Sequence, residues 1–146
     1  MDGVVIYFGN ATLEEVGHEF NAMMVGTGTD GAGFVVFPYA QDSWKTELSD
    51  SEFIRLAQVL GCIPSCAVHV TSRHGEAARS ALSAIATVMT RFPNSVLDDD
   101  FDHLWSASQV AALNKAQPVD GWYALRQSTD EGVCDALMTT QDTAGQ

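Results

Sequence analysis

The sequence predicts an α/β fold, a single-domain sandwich in which one sheet of about four strands packs with helices. Short apolar runs rich in β-branched and aromatic residues alternate along the chain with segments whose apolar residues recur every three to four positions. Three of the helical segments open on a capping box, with Ser or Thr standing three residues before Glu or Gln. Size agrees: a chain of 146 residues, 46% of them hydrophobic, buries roughly two thirds of its unfolded surface around one core.

In chain order, "GVVIYFG" (Gly3 to Gly9) is apolar throughout and reads as a central strand covered on both faces. "TLEEVGHEFNAMM" follows as a helix capped by Thr12 and Glu15, with Leu13, Val16, Phe20 and Met23 or Met24 on one stripe. Glu14, Glu15, His18 and Glu19 fall on its opposite face. "GFVVFPYA" is a strand that Pro38, lacking an N–H, pushes toward its end or to a sheet edge. "SDSEFIRLAQVLG" is a helix with a Ser49–Glu52 box, an inward stripe of Phe53, Leu56 and Leu60, and Gly61 as its stop. "CAVHVTS" alternates as a third strand. "GEAARSALSAIATVMTRFP" is the longest helix, with Leu82, Ile85, Met89 and Phe92 inward and Pro93 at its end. "SVLDD" is a short fourth strand. Ser106 and Gln109 then cap a last helix, flanked by Trp105 and Val110 at the positions of a hydrophobic staple. "QPVDGWYALRQ" reads as a turn and a short extended piece. The domain spans residues 1–127, and residues 128–146, dominated by polar, small or acidic types, are expected to form a flexible tail.

Charge narrows the function. Nineteen acidic against seven basic residues give a formal net charge of -12. Nucleic acid and anionic membranes are repelled by such a surface, whereas a basic protein is steered toward it. Lys45 is the only basic residue before Arg55, against nine acidic ones over the same stretch. No apolar run approaches the roughly 20 residues of a membrane span, and no basic flank of a signal peptide precedes the first strand, so the expected location is the cytoplasm. Cys62, Cys66 and Cys134 lack C-x-x-C spacing and read as reduced thiols.

Four motifs invite chemistry, and each meets a physical objection. "GTGTDG" (Gly26 to Gly31) matches G-x-G-x-x-G, but it follows a helix and precedes a strand, the reverse of what a dinucleotide site needs. Asp98, Asp100 and Asp102 imitate the start of a calcium loop, yet His103 stands where the turn glycine belongs and Gln109 replaces the bidentate Glu. His69, His74 and His103 lack a convergent third ligand in sequence. Cys62 and Cys66 sit at a helix C-terminus, where the dipole opposes thiolate formation. No catalytic residue, cofactor or metal is therefore assigned. The stretch "NSVLDDDFDHLWSASQ" reads instead as a solvent-facing acidic corner, Asp99, Asp100, Asp102 and His103, around the apolar anchors Phe101, Leu104 and Trp105.

A small acidic α/β chain whose long helix ends in "RFPNSVLDDDFDHLWSASQV" resembles the bacterial immunity proteins that neutralise a co-encoded antibacterial toxin, including those paired with contact-dependent or type VI secreted effectors. The likeness covers roughly Ala67 to Leu113. It implies a cytoplasmic, non-catalytic protein that binds a cognate toxin with a basic surface and occludes its active site. The expected partner-binding residues are Glu14, Glu15, His18 and Glu19 on the first helix and Asp99, Asp100, Phe101, Asp102 and His103 at the corner. Two readings stay open beside it: a small metal-binding or hydrolytic enzyme using the Asp/His cluster, and a phage-type acidic mimic of nucleic acid.

Overall fold

A computed structural model describes residues 2–27, 33–40, 42–73, 76–99 and 103–116. Its strands are β1 (Asp2–Phe8), β2 (Phe34–Pro38), β3 (Cys66–Ser72), β4 (Ser95–Asp98) and β5 (Leu104–Ser106). Its helices are α1 (Leu13–Thr27), α2 (Asp50–Leu60), α3 (Glu76–Arg91) and α4 (Ala107–Ala116), with one 3₁₀ turn over Ser43–Glu47. The anticipated four strands are present, and β5 is a fifth. Its three residues directly precede the Ser106 cap, too short a run to register as a strand in sequence.

All pairings are antiparallel, in the order β2-β3-β1-β4-β5. β1 lies at the centre, as its unbroken apolar run predicts. β2 lies at an edge with Pro38 as its last residue, where a missing N–H costs no ladder bond. Since β3 and β4 both run antiparallel to β1, they are parallel to each other, and α3 carries the chain across β1 between them. α1 likewise joins β1 to β2 across β3.

Strand alternation then divides the interior in two. On the first face, Val4, Ile6 and Phe8 of β1 meet Val68 and Val70 of β3, Leu97 and Trp105, under Val16 and Phe20 of α1, Leu82, Ile85 and Met89 of α3, and Val110 and Leu113 of α4. On the second face, Tyr7, Ala67 and Val96 are covered by Trp44, Leu56 and Leu60. Trp44 is fully buried, stacks on Phe53 at 6.1 Å and 3°, and takes the edge of Tyr7 at 5.7 Å. The 3₁₀ turn exists to deliver this one indole; its five residues are too few for a periodic signal.

The helix boundaries follow the caps read from sequence. Ser49 Oγ accepts from Glu52 N, and Glu52 Oε1 accepts from Ser49 N. Gly61 ends α2 in the left-handed region at φ 83°. Ser106 and Gln109 form the same reciprocal pair, and the staple residues Trp105 and Val110 are both fully buried. Among the described residues no helix is long and apolar enough to cross a membrane. The segment "QPVDGWYALRQ", the 128–146 tail and most of "GTGTDG" lie outside the described residues.

Ile85 is inaccessible beneath the first face of the sheet. Truncating Ile85→Ala removes buried methylenes and leaves a cavity, so urea denaturation should show a loss of about 2–5 kcal/mol. A loss under about 1 kcal/mol would show that α3 presents another face to the sheet.

Candidate functional site

The four residues anticipated on α1 do come together. Glu14, Glu15, His18 and Glu19 line an open groove with Arg91 and Phe92. Two of the three carboxylates already have partners. Glu15 Oε1 accepts from the backbone N–H and the hydroxyl of Thr12, both at 3.0 Å. Glu19 Oε1 lies 3.3 Å from Arg91 Nε. Arg91 offsets one of the groove's three negative charges, while Glu15, whose partners are neutral donors, keeps its own.

The corner after β4 differs from its expected form. Asp99 does not face solvent; it is 2% exposed. Its Oδ2 accepts from Trp105 Nε1 at 3.0 Å and its Oδ1 from His103 N at 3.4 Å, while Asp99 N donates to His103 O. His103 sets its ring edge-on to Trp105 at 4.6 Å. Asp99 and His103 are thus a brace that closes the β4–β5 turn and satisfies a buried indole, because an unpaired N–H there would be costly. Asp100, Phe101 and Asp102 lie outside the described residues. Among the described residues no group of three His, Cys, Asp or Glu side chains could hold a metal ion.

A site absent from the expectations lies on the second sheet face. Among the described residues, α2 and the 3₁₀ turn cover one end of that face. Directly opposed residues of antiparallel strands share a face, so register builds a row across the whole sheet: Phe37, His69, Val5, Asp98, Leu104. Beyond it, Val35, Thr71 and Gly3 form a second row. Val35 is 43% and Phe37 51% exposed, and the Phe37 ring lies 6.4 Å from that of His69.

Where the covered and open halves meet is a cleft of about 270 Å³, floored by Gly3, Val5 and Tyr7 and walled by Tyr39, Glu47, Glu52, His69 and Asp98. A Cβ at Gly3 would meet the Val70 carbonyl oxygen at 2.5 Å and His69 Nε2 at 2.9 Å, so the floor requires glycine. Tyr39 donates its hydroxyl to Glu47 Oε2 at 2.7 Å. The Tyr7 phenol is pushed well above the ordinary tyrosine range, first by burial and then by the negative charges of Asp98, Glu47 and Glu52. Tyr39 is raised by burial and by its bond to Glu47. Both phenols stay protonated at neutral pH and are poorly matched to general acid–base work there. Among the described residues no lysine or arginine lines the cleft.

Sequence did carry signals for this site. His69 interrupts an otherwise apolar central strand, and Gly3 and Tyr7 sit two apart from Val5 on one face of β1. Which face they shared with Glu47 and Glu52 depended on the path of the chain between β2 and β3.

Cys66 is 3% exposed and donates its thiol toward the Ala11 carbonyl, and burial pushes its pKa up to about 11. It is not an activated nucleophile. Comparison with protein-family models, with curated proteins and with solved structures finds no match for the chain.

Two measurements follow from this geometry. Asp99→Ala strands the Trp105 indole N–H in the core and should cost about 1–3 kcal/mol in urea denaturation, whereas Asp99→Asn keeps an acceptor and should cost less; equal and negligible losses would place Asp99 on the surface. The Cys66 thiol, raised from 9.0 to about 11, favours the folded state only while protonated. Stability should hold up to about pH 9 and fall as pH rises toward about 11, and Cys66→Ala should flatten part of that fall in the same titration.

Proposed function

We propose that this chain is a non-catalytic binder of a basic protein, acting in the cytoplasm by stoichiometric occlusion, and that the partner is a cognate toxin of the kind the immunity-protein resemblance implies. The observation that supports the reading best is the open half of the second sheet face. There an acidic cleft, with no lysine or arginine among its described lining residues, adjoins the exposed side chains of Val35 and Phe37 on an edge strand. Other exposed large apolar residues, Ile54, Val59 and Ile63, belong to α2 and the turn after it, the elements that cover the same sheet face. Apolar anchors beside charge are the arrangement of a protein interface, in which burial supplies affinity and charge speeds encounter. A net charge of -12 selects a basic partner and opposes a second copy of this chain. The α1 groove is the secondary contact.

The test is association kinetics with the protein encoded beside this one, across a salt series. Phe37→Ser is exposed and should leave folding within about 0.5 kcal/mol. It should raise Kd by about tenfold or more through a faster off-rate. Added salt should slow association of parent and variant alike as the Debye length falls to about 8 Å. A salt-independent on-rate together with an unchanged Kd for Phe37→Ser would overturn the reading.

A further inference from the structure

We infer that the free edge of β2 holds its partner by strand addition: an extended segment of a basic protein, alternating apolar and basic residues, joins the sheet there as a further antiparallel strand. Strand addition rests on the function proposed above, since it names how a basic partner is held.

One hydrogen bond fixes which backbone groups the edge presents. Tyr39 N donates to Ala67 O at 3.1 Å, one step beyond the last register pair, Pro38 with Val68. Opposed residues of an antiparallel ladder alternate between pairs that exchange both backbone bonds and pairs that exchange none. Tyr39 and Ala67 are of the first kind, and so are Phe37 with His69 and Val35 with Thr71. Phe34, Val36 and Pro38 therefore turn their backbone groups away from β3. Among the described residues β2 pairs with β3 alone, and no acceptor meets the amides of Phe34 and Val36. Phe34 and Val36 each offer an N–H and a carbonyl to a new strand, and Pro38 offers a carbonyl. Proline falls on the outward set, where its missing N–H costs the β2–β3 ladder nothing.

The opposite edge of the sheet is blunted. Asp99 N donates to His103 O, which continues the β4–β5 register, so Trp105 bonds β4 while Leu104 and Ser106 face outward. Ser106 N is already held by Gln109 Oε1 at 2.9 Å, and α4 begins at the next residue.

Side chains and charge define what the added strand carries. Val35 and Phe37 stand exposed on the second face, so alternate residues of the new strand meet apolar neighbours there. Beside the end of β2, Tyr39 bonds Glu47, and the same stretch of chain carries Asp42, Asp50 and Glu52 against Lys45, which lies 3.6 Å from Asp42. A net charge of -12 opposes a second copy of this chain at the edge and attracts a basic segment.

The probe is an acetylated, amidated heptapeptide of alternating valine and arginine, titrated into the full chain while backbone amide exchange is followed. In the free protein, Phe34 and Val36 should exchange about tenfold or more faster than Val35 and Phe37, whose amides bond β3. Bound peptide should slow Phe34 and Val36 by about tenfold or more and leave Leu104 unchanged. With its valines beside Val35 and Phe37, the peptide bonds β2 through its arginine amides. N-methylation of the arginines should abolish binding, and N-methylation of the valines should spare it. A valine–glutamate heptapeptide should not bind. Equal effects of the two methylations, protection at Leu104 in place of β2, or equal binding of the glutamate peptide would overturn the proposal. Protection of Phe34 and Val36 that grows with protein concentration in the absence of peptide would make a second copy the occupant and overturn it as well. The protein encoded beside this one separates the two readings. If it binds while Phe34 and Val36 keep their free exchange rates, strand addition fails and occlusion stands. If it does not bind while the peptide does in the stated pattern, the edge stands as a peptide site and occlusion fails.

Discussion

β1 must be buried on both faces, and most of the molecule is arranged around that requirement. Its first-face residues Val4, Ile6 and Phe8 demand a broad apolar cover, which three helices supply. Its second face is only half apolar. Tyr7 asks for cover, but Gly3 offers no side chain to bury and Val5 little. One helix and one 3₁₀ turn are enough for the Tyr7 end, anchored by Trp44.

That asymmetry explains where polar chemistry can exist. On the first face the helices exclude water, and the buried Trp105 indole has its partner there in Asp99. On the second face the border between covered and open sheet lets Tyr7 be buried at its ring while its hydroxyl meets a cleft. Aromatic residues with a polar tip suit such borders. The same border brings the N-terminal end of α2 close to the sheet. Glu52 is held there by its cap, which lowers its pKa through hydrogen bonds from Ser49 and keeps it ionised.

The fold was legible in sequence where a local rule decided it. Capping boxes at Thr12, Ser49 and Ser106, the stop at Gly61 and the edge position of Pro38 all rest on backbone groups within a few residues of one another. β5 and the Trp44 turn were not legible, because three and five residues carry no period and their reason for existing lies across the sheet. The acidic corner misled for the same cause. "DDDFD" looks like solvated charge, yet Asp99 is drawn inward by a Trp105 indole whose position depends on β5 pairing with β4. The candidate cleft is the extreme case: its residues come from β1, β3, β4, the 3₁₀ turn and α2, and only the strand order assembles them.

Charge count and charge availability therefore diverge across this surface. α1 presents Glu14, Glu15 and Glu19, of which Glu15 accepts from the neutral Thr12 cap and Glu19 is paired with Arg91. In the cleft, the partners of Glu47 and Glu52 are neutral hydrogen-bond donors. Such donors orient a carboxylate and leave its charge intact, whereas an ion pair cancels it. Among the described residues the α1 groove includes one opposing cation, Arg91, and the cleft lining includes no lysine or arginine. What an acidic surface can offer an approaching cation depends on what already satisfies its carboxylates, and an ion pair costs it more than a neutral donor does.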